Sequence, residues 1–195
     1  MALNYPNKRP LREKVVNKAN LGMGLENLIN QSNEYYLAND RAVIHKKPTP
    51  VQIVKVDYPE RNKAKIVEAY YKIPSTTDYN GIYRGKYIDF DAKECHNKTS
   101  FPIRNIHPHQ ITHLNNVIKH GGIGFLIICF NLYNEYYLVK MDIINEYWDN
   151  AFINDERKSI PYKVIKEKGY PIKEAYLPKL NYLDSVDQAF FNEEA

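Results

Sequence analysis

The chain has 195 residues, of which 44% are hydrophobic and 26% charged, with a net charge of +4 at pH 7. That length can bury one sizeable core, and the balance is that of a globular domain rather than a disordered or fibrous chain. No apolar run approaches a membrane span, no leader pattern is read, and Cys95 and Cys129 form neither a disulfide framework nor a zinc spacing, so a reducing cytoplasm is the expected setting.

Residues 1–21 are polar and basic, with Pro6 and Pro10 and no sustained apolar period. They read as a flexible arm that orders on nucleic acid, with Lys8, Arg9 and Arg12 meeting phosphates rather than bases. A single domain is expected from residue 22 onward. Gly22-Met-Gly-Leu-Glu26 opens a helix to about Leu37, with Leu25, Leu28, Ile29 and Tyr36 as its apolar stripe. Glu26, in the first turn, is either a helix-dipole acid or a group facing a site. Arg41 to His45 reads as a short strand, broken by Lys46-Lys47-Pro48-Thr-Pro50. Val51–Tyr58 and Ala64–Ile73, joined by Pro59-Glu-Arg-Asn62, predict a long hairpin at about residues 51–73. An isolated two-stranded ribbon is marginal in water, so this one needs a partner surface.

From Tyr87 to Lys93 apolar and polar residues alternate. Tyr87, Asp89, Asp91 and Lys93 therefore share one face, and Ile88, Phe90 and Ala92 the other. Asp78 lies upstream across glycine-marked turns. Two carboxylates on converging strands suit a hard divalent cation such as Mg²⁺, which completes its shell with water and phosphate oxygens. A lysine two residues beyond the second acid can stabilise charge developing on phosphorus. The other reading, an exposed charged strand face, stays open at this point. Cys95-His-Asn-Lys-Thr-Ser-Phe-Pro102 follows as a polar loop in which Lys98 either contacts phosphate or is simply solvated.

A helix is predicted over 107–120, ended by Gly121-Gly122. His109 and His113 lie four apart on it, but no third ligand has a fitting spacing and zinc is rejected. Gly124–Leu132 and Glu135–Met141 read as core strands, Asp142–Asp149 as a helix, Ser159-Ile-Pro161 as the opening of a helix closed near Gly169, and Asp184–Phe191 as a last amphipathic turn or two. Pro171 and Pro178 mark an extended stretch. Charge is uneven: residues 1–20 carry +4, 21–40 carry −3, 41–65 carry +5, and the remainder −2. Two basic segments that flank the first helix and lead into the acidic pocket point to nucleic acid, with ordinary solvation of exposed strands and tail as the alternative.

Four motifs in order, Ile44-His-Lys-Lys-Pro-Thr-Pro50, Pro74-Ser-Thr-Thr-Asp-Tyr-Asn-Gly81, Tyr87-Ile-Asp-Phe-Asp-Ala-Lys-Glu94 and Asn97-Lys-Thr-Ser-Phe-Pro102, resemble the RecU family of Holliday junction resolvases. The resemblance covers most of residues 22–140 and continues more loosely to about 185. It implies an α/β fold of the PD-(D/E)xK nuclease type: a mixed central sheet flanked by helices, as in restriction endonucleases, with the hairpin projecting as a stalk. It implies that Asp78 is the first acid, Asp91 the second and Lys93 the lysine. Thr76 and Gln110 match further active-site positions, so Thr76, Asp78, Asp91 and Gln110 form the implied metal set. Glu26 matches an acid on the first helix. The second acid, usually Glu in the family, is here Asp91, one methylene shorter. Lys46, Lys47, Arg61 and Lys63 fall on or beside the stalk.

The implied activity is metal-dependent hydrolysis of a four-way DNA junction in recombination and repair, with Mg²⁺ or Mn²⁺ as cofactor. A homodimer, and a strand-exchange recombinase as a further partner, are implied with it. Two alternatives are weighed against it. One is a non-catalytic protein that binds junctions or regulates a recombinase; the other is a nuclease of the same fold acting on duplex ends or nicks.

Overall fold

The computed structural model describes residues 24–60, 63–72 and 76–192. In chain order the elements are α1 (Leu25–Ala38), β1 (Val43–Lys46), β2 (Val51–Asp57), β3 (Lys65–Tyr71), β4 (Tyr79–Tyr83), β5 (Lys86–Cys95), β6 (Ser100–Pro102), α2 (Pro108–Lys119), β7 (Ile123–Phe130), β8 (Glu135–Lys140), α3 (Met141–Phe152), β9 (Ser159–Pro161), α4 (Tyr162–Lys168), β10 (Tyr170–Ile172) and α5 (Tyr182–Phe190). Six strands form one mixed sheet in the order β1-β4-β5-β7-β8-β10. Only β5 and β7 run parallel, and α2 is the crossover that a parallel pair requires.

The sheet owes its order to two sequence patterns. Every residue of β7, Ile-Gly-Phe-Leu-Ile-Ile-Cys-Phe, is buried, as a strand covered on both faces must be. The alternation of β5 then sorts its side chains. Ile88 and Phe90 enter a core with Leu28, Tyr36, Phe125, Tyr182 and Val186 on the face covered by α1 and α5. The opposite face holds Leu126, Ile128, Phe130, Tyr137 and Val139 under α2, α3 and α4. Asp89, Asp91 and Lys93 lie on this second face.

The β4–β5 hairpin turns through Arg84-Gly85, both at positive φ, the two-residue geometry that a right-twisted ribbon favours. Gly81 is required for a different reason. A Cβ there would lie 2.1 Å from the Val43 carbonyl oxygen, so β1 approaches β4 this closely only past a residue without a side chain.

The predicted hairpin is present as β2 and β3, which pair with each other in a separate two-stranded sheet. Val51, Ile53, Val54, Ile66 and Val67 are all about half exposed, so the ribbon has almost no core of its own. Two local expectations are corrected. Ser159-Ile-Pro161 does not open a helix; it is strand β9, and α4 starts only at Tyr162. Its partner is β6, inside the segment expected to be a polar loop, with Phe101 and Ile160 fully buried between the two. Two apolar residues some sixty positions apart gain more by covering each other than either local pattern reveals. The basic arm at 1–21 lies outside the described residues.

Candidate active site

The site is assembled where β4 meets β5. Tyr79 pairs with Phe90 in register, and their rings stack at 4.9 Å. One position further along this ladder, Asp78 faces Asp91. The Tyr79 hydroxyl bonds to the Glu26 carbonyl at 3.3 Å and to Asn30 Oδ1 at 3.2 Å, which brings the first turn of α1 to the same place. Glu26, Lys46, Lys47, Thr76, Thr77 and Asp78 line a cleft of about 230 Å³. Glu26 is thus a cleft residue as well as a first-turn acid, and it forms an ion pair with Lys46.

Asp91 is fully buried. Burial pushes its pKa up to about 7; the adjacent Asp78 carboxyl adds to the rise and Lys93 opposes it. Lys93 Nζ lies 3.3 Å from Asp91 Oδ1, yet that oxygen accepts no hydrogen bond. The other oxygen, Oδ2, accepts one from Gln110 Nε2. The Gln110 amide oxygen is also engaged, receiving the His107 backbone N–H at 3.0 Å in the capping box that starts α2. Both ends of the amide are therefore used. In this arrangement Gln110 holds Asp91 and the N-terminus of α2 together. The Thr76 hydroxyl lies in the cleft, 3.4 Å from the Thr77 carbonyl.

The donor set suits a hard divalent cation. Two carboxyl groups abut, one is buried with an orphaned oxygen, and both the repulsion and the unsatisfied acceptor would be relieved by a cation between them. Among the described residues no group of three or more His, Cys, Asp or Glu side chains gathers in metal-binding geometry. Asp78 and Asp91 would then leave most of the shell to water and phosphate oxygens, the habit of Mg²⁺. The rejected zinc pair has other partners: His113 bonds to Asp89, and His109 stacks on His107 with ring centres 5.4 Å apart.

Asp89 does not share this role. It is fully buried and receives Lys47 Nζ at 2.8 Å, Tyr87 Oη at 2.8 Å, His113 Nε2 at 2.9 Å and the Thr77 hydroxyl. Burial alone would raise its pKa; these donors, Lys47 foremost, hold it below the usual carboxylate value. The sequence does not single out Thr77, and it reads Tyr87 only as part of the charged strand face and His113 only as half of the rejected zinc pair. The available signals were the position of Asp89 on the Asp91 face and the i, i+3 spacing of Gln110 and His113. Glu94 was also missed: its Oε1 receives the Leu25 N–H at 2.7 Å, capping α1 where Gly24 has no side chain to do so.

The expected DNA-contacting residues fall into three groups. Lys46 and Lys47 line the cleft, Lys47 with its ammonium on Asp89. Lys63 pairs with Glu60 at the ribbon tip, and Lys98 is exposed after β5. Lys8, Arg9, Arg12 and Arg61 lie outside the described residues. No helix among the described residues is long and apolar enough to cross a membrane.

The family model described as Recombination protein U matches residues 20–188. The chain is 52% identical over 186 residues to the Holliday junction resolvase RecU of Oenococcus oeni, covering 95% of this chain and 93% of the relative. It is 50% identical over 206 residues to the protein of the same name from Leuconostoc citreum, covering 98% and 99%. The corresponding Geobacillus kaustophilus protein is 49% identical over 199 residues, with the same coverage. With the family model and these relatives spanning nearly its whole length, the chain belongs to the RecU family.

Proposed function

We propose that this protein is a Holliday junction resolvase that cuts DNA by metal-dependent phosphodiester hydrolysis. The observation that carries the reading is Asp91, a fully buried carboxyl set against Asp78, with one oxygen that accepts no hydrogen bond and is ion-paired to Lys93 at 3.3 Å. A core carboxyl in that state costs stability, and the chain keeps it where strand pairing brings a second acid alongside. The relatives, named as Holliday junction resolvases, supply the substrate.

Asp78 and Asp91 would hold Mg²⁺, or Mn²⁺ in its place, and the ion would supply Lewis-acid activation of the phosphate and a more acidic bound water. Lys93 presents its ammonium beside Asp91, where it can stabilise the extra negative charge of the pentacovalent phosphorus. Gln110 keeps the Asp91 carboxyl oriented. Thr76 lies on the cleft wall beside Asp78, in reach of a bound phosphate. The reaction is an in-line displacement that leaves a 5′-phosphate and a 3′-hydroxyl.

A junction offers two symmetry-related strands, and a homodimer with twofold symmetry would present two such pockets to them. The ribbon of β2 and β3, exposed and carrying Lys55, Lys63 and Lys65 along its length and tip, suits the open centre of a junction better than a continuous duplex. A strand-exchange recombinase as partner and a cytoplasmic setting belong to the same reading.

The test is a labelled mobile four-way junction incubated with the protein in Mg²⁺, Mn²⁺ or EDTA. Paired symmetric cuts in either metal, lost in EDTA and in Lys93→Ala with junction binding retained, are expected. Binding without cuts in both metals would instead mark a non-catalytic junction-binding protein.

A further inference from the structure

Asp89 is a buried carboxylate with no place in the chemistry, and its donors come from several elements. Lys47 belongs to the connection between β1 and the ribbon, Thr77 to the segment just before β4, Tyr87 to β5 itself and His113 to α2. Three of these donors are tied to the active site. Thr77 precedes Asp78. The Lys47 backbone N–H donates to the Asp78 carbonyl at 2.7 Å, and its ammonium also reaches the Thr77 hydroxyl at 2.9 Å. His113 lies one helical turn beyond Gln110, which holds Asp91. The ribbon leaves the body only a few residues after Lys47, at Val51, and its base is closed by Lys72 N–H on the Pro50 carbonyl at 2.9 Å.

Resting on the nuclease reading above, we propose that Asp89 is a positioning residue that fixes the base of the ribbon and the Thr77–Asp78 segment against the Asp91 carboxyl through Lys47, Thr77 and His113. The carboxylate offers acceptors on both oxygens, which suits it to gather several donors at one point. Lys47, with only 20% of its side chain exposed, acts here as an internal strut whose charge is spent on Asp89. A ribbon seated in a junction and the acids that cut it would then be held in one register by a single buried group.

The test is Asp89→Asn, which keeps the shape but turns an NH₂ towards groups that donate. Misplacement by about an ångström costs on the order of 100-fold in rate, so single-turnover cleavage of saturating junction should fall by about that factor. The junction Kd should stay near that of the parent. Amide hydrogen exchange should rise at residues 46–50 and 76–80 while β7 and β8 remain protected. Parent-like cleavage by the folded variant would overturn the proposal, as would unchanged exchange in both segments or a Kd weakened by the same factor as the rate.

Should Asp89→Asn fail to fold, Thr77→Val removes one donor at nearly constant volume. It should slow cleavage by roughly 10-fold at unchanged Kd, with Thr77→Ser restoring the rate. Parent-like cleavage and exchange by Thr77→Val would equally overturn the proposal. The exchange measurement reports on the strut even if the parent protein proves not to cut junctions, so the two readings fail separately.

Discussion

Asp91 is where stability and function pull in opposite directions. Its folded pKa lies near 7, against 3.8 for the free side chain. A raised carboxylate pKa means that the folded state binds the proton more tightly than the unfolded state. The stabilisation is therefore full below about pH 4 and is lost as pH rises through about 7. At full ionisation the penalty is on the order of 4 kcal/mol at most. In EDTA at pH 8, Asp91→Asn should melt several degrees above the parent, and the gap should close near pH 4 as the parent's carboxyl takes up its proton. A variant that melts lower at pH 8 would show that Asp91 is not strained in the metal-free protein. Added Mg²⁺ should raise the melting temperature of the parent and leave that of Asp91→Asn unmoved, since only a species that binds the folded state shifts the equilibrium.

Two elements differ in how they are held. Helix α1 starts at Gly24 without a side-chain cap, and Glu94 on β5 supplies the acceptor from across the fold. The Leu25 N–H draws the Glu94 carboxyl below its usual pKa, with Asn131 contributing through its amide. Glu94→Ala should cost about 1 kcal/mol, the usual worth of a helix cap, with Glu94→Gln milder because it keeps an acceptor. Chemical denaturation of the three proteins checks the order.

The ribbon is the opposite case: its apolar residues are already exposed, so the body gains little from it. Deleting Val56–Ile66 and closing the arms with Asn-Gly should leave the melting temperature close to that of the parent. Preference for junctions over linear duplex should collapse. If the shortened protein prefers junctions as strongly as before, recognition lies in the body.

On the scale of the molecule, a six-stranded sheet with a core on each face carries the cleft at one end, and basic segments border it in sequence. Binding that rests on phosphates releases counterions, so log Kd against log salt should have a slope of roughly 0.9 per phosphate neutralised. Removing residues 1–20, which carry +4, should weaken binding to junction and duplex alike and flatten that slope. An unchanged slope would mean that the arm does not touch DNA. Two-fold symmetric cutting further predicts a dimer in solution, which sedimentation measures directly.

Features that depend on near neighbours can mostly be read along the chain. The period-2 pattern of β5 placed Asp91 and Lys93 on one face, the unbroken apolar run marked β7 as a central strand, and Pro108 with Gly121 bracketed α2. The exposed hairpin was legible for the same reason, whereas Asp78 and Asp91 were picked out as the candidate acids by the resemblance of four motifs to the RecU family. Only the folded chain separates the roles of like residues on that face. Asp89 and Asp91 are two positions apart on one strand, equally buried, and indistinguishable by pattern. One is saturated by donors that lie 2, 12, 24 and 42 residues away in the chain; the other meets Asp78 and keeps one oxygen without a hydrogen bond. The pairing of β6 with β9, the cap that Glu94 gives α1, and the capture of Lys47 by Asp89 were hidden in the same way. A carboxylate takes its role from the charges and donors within a few ångströms, and these are set by strand order and helix crossover, not by the residues beside it in the chain.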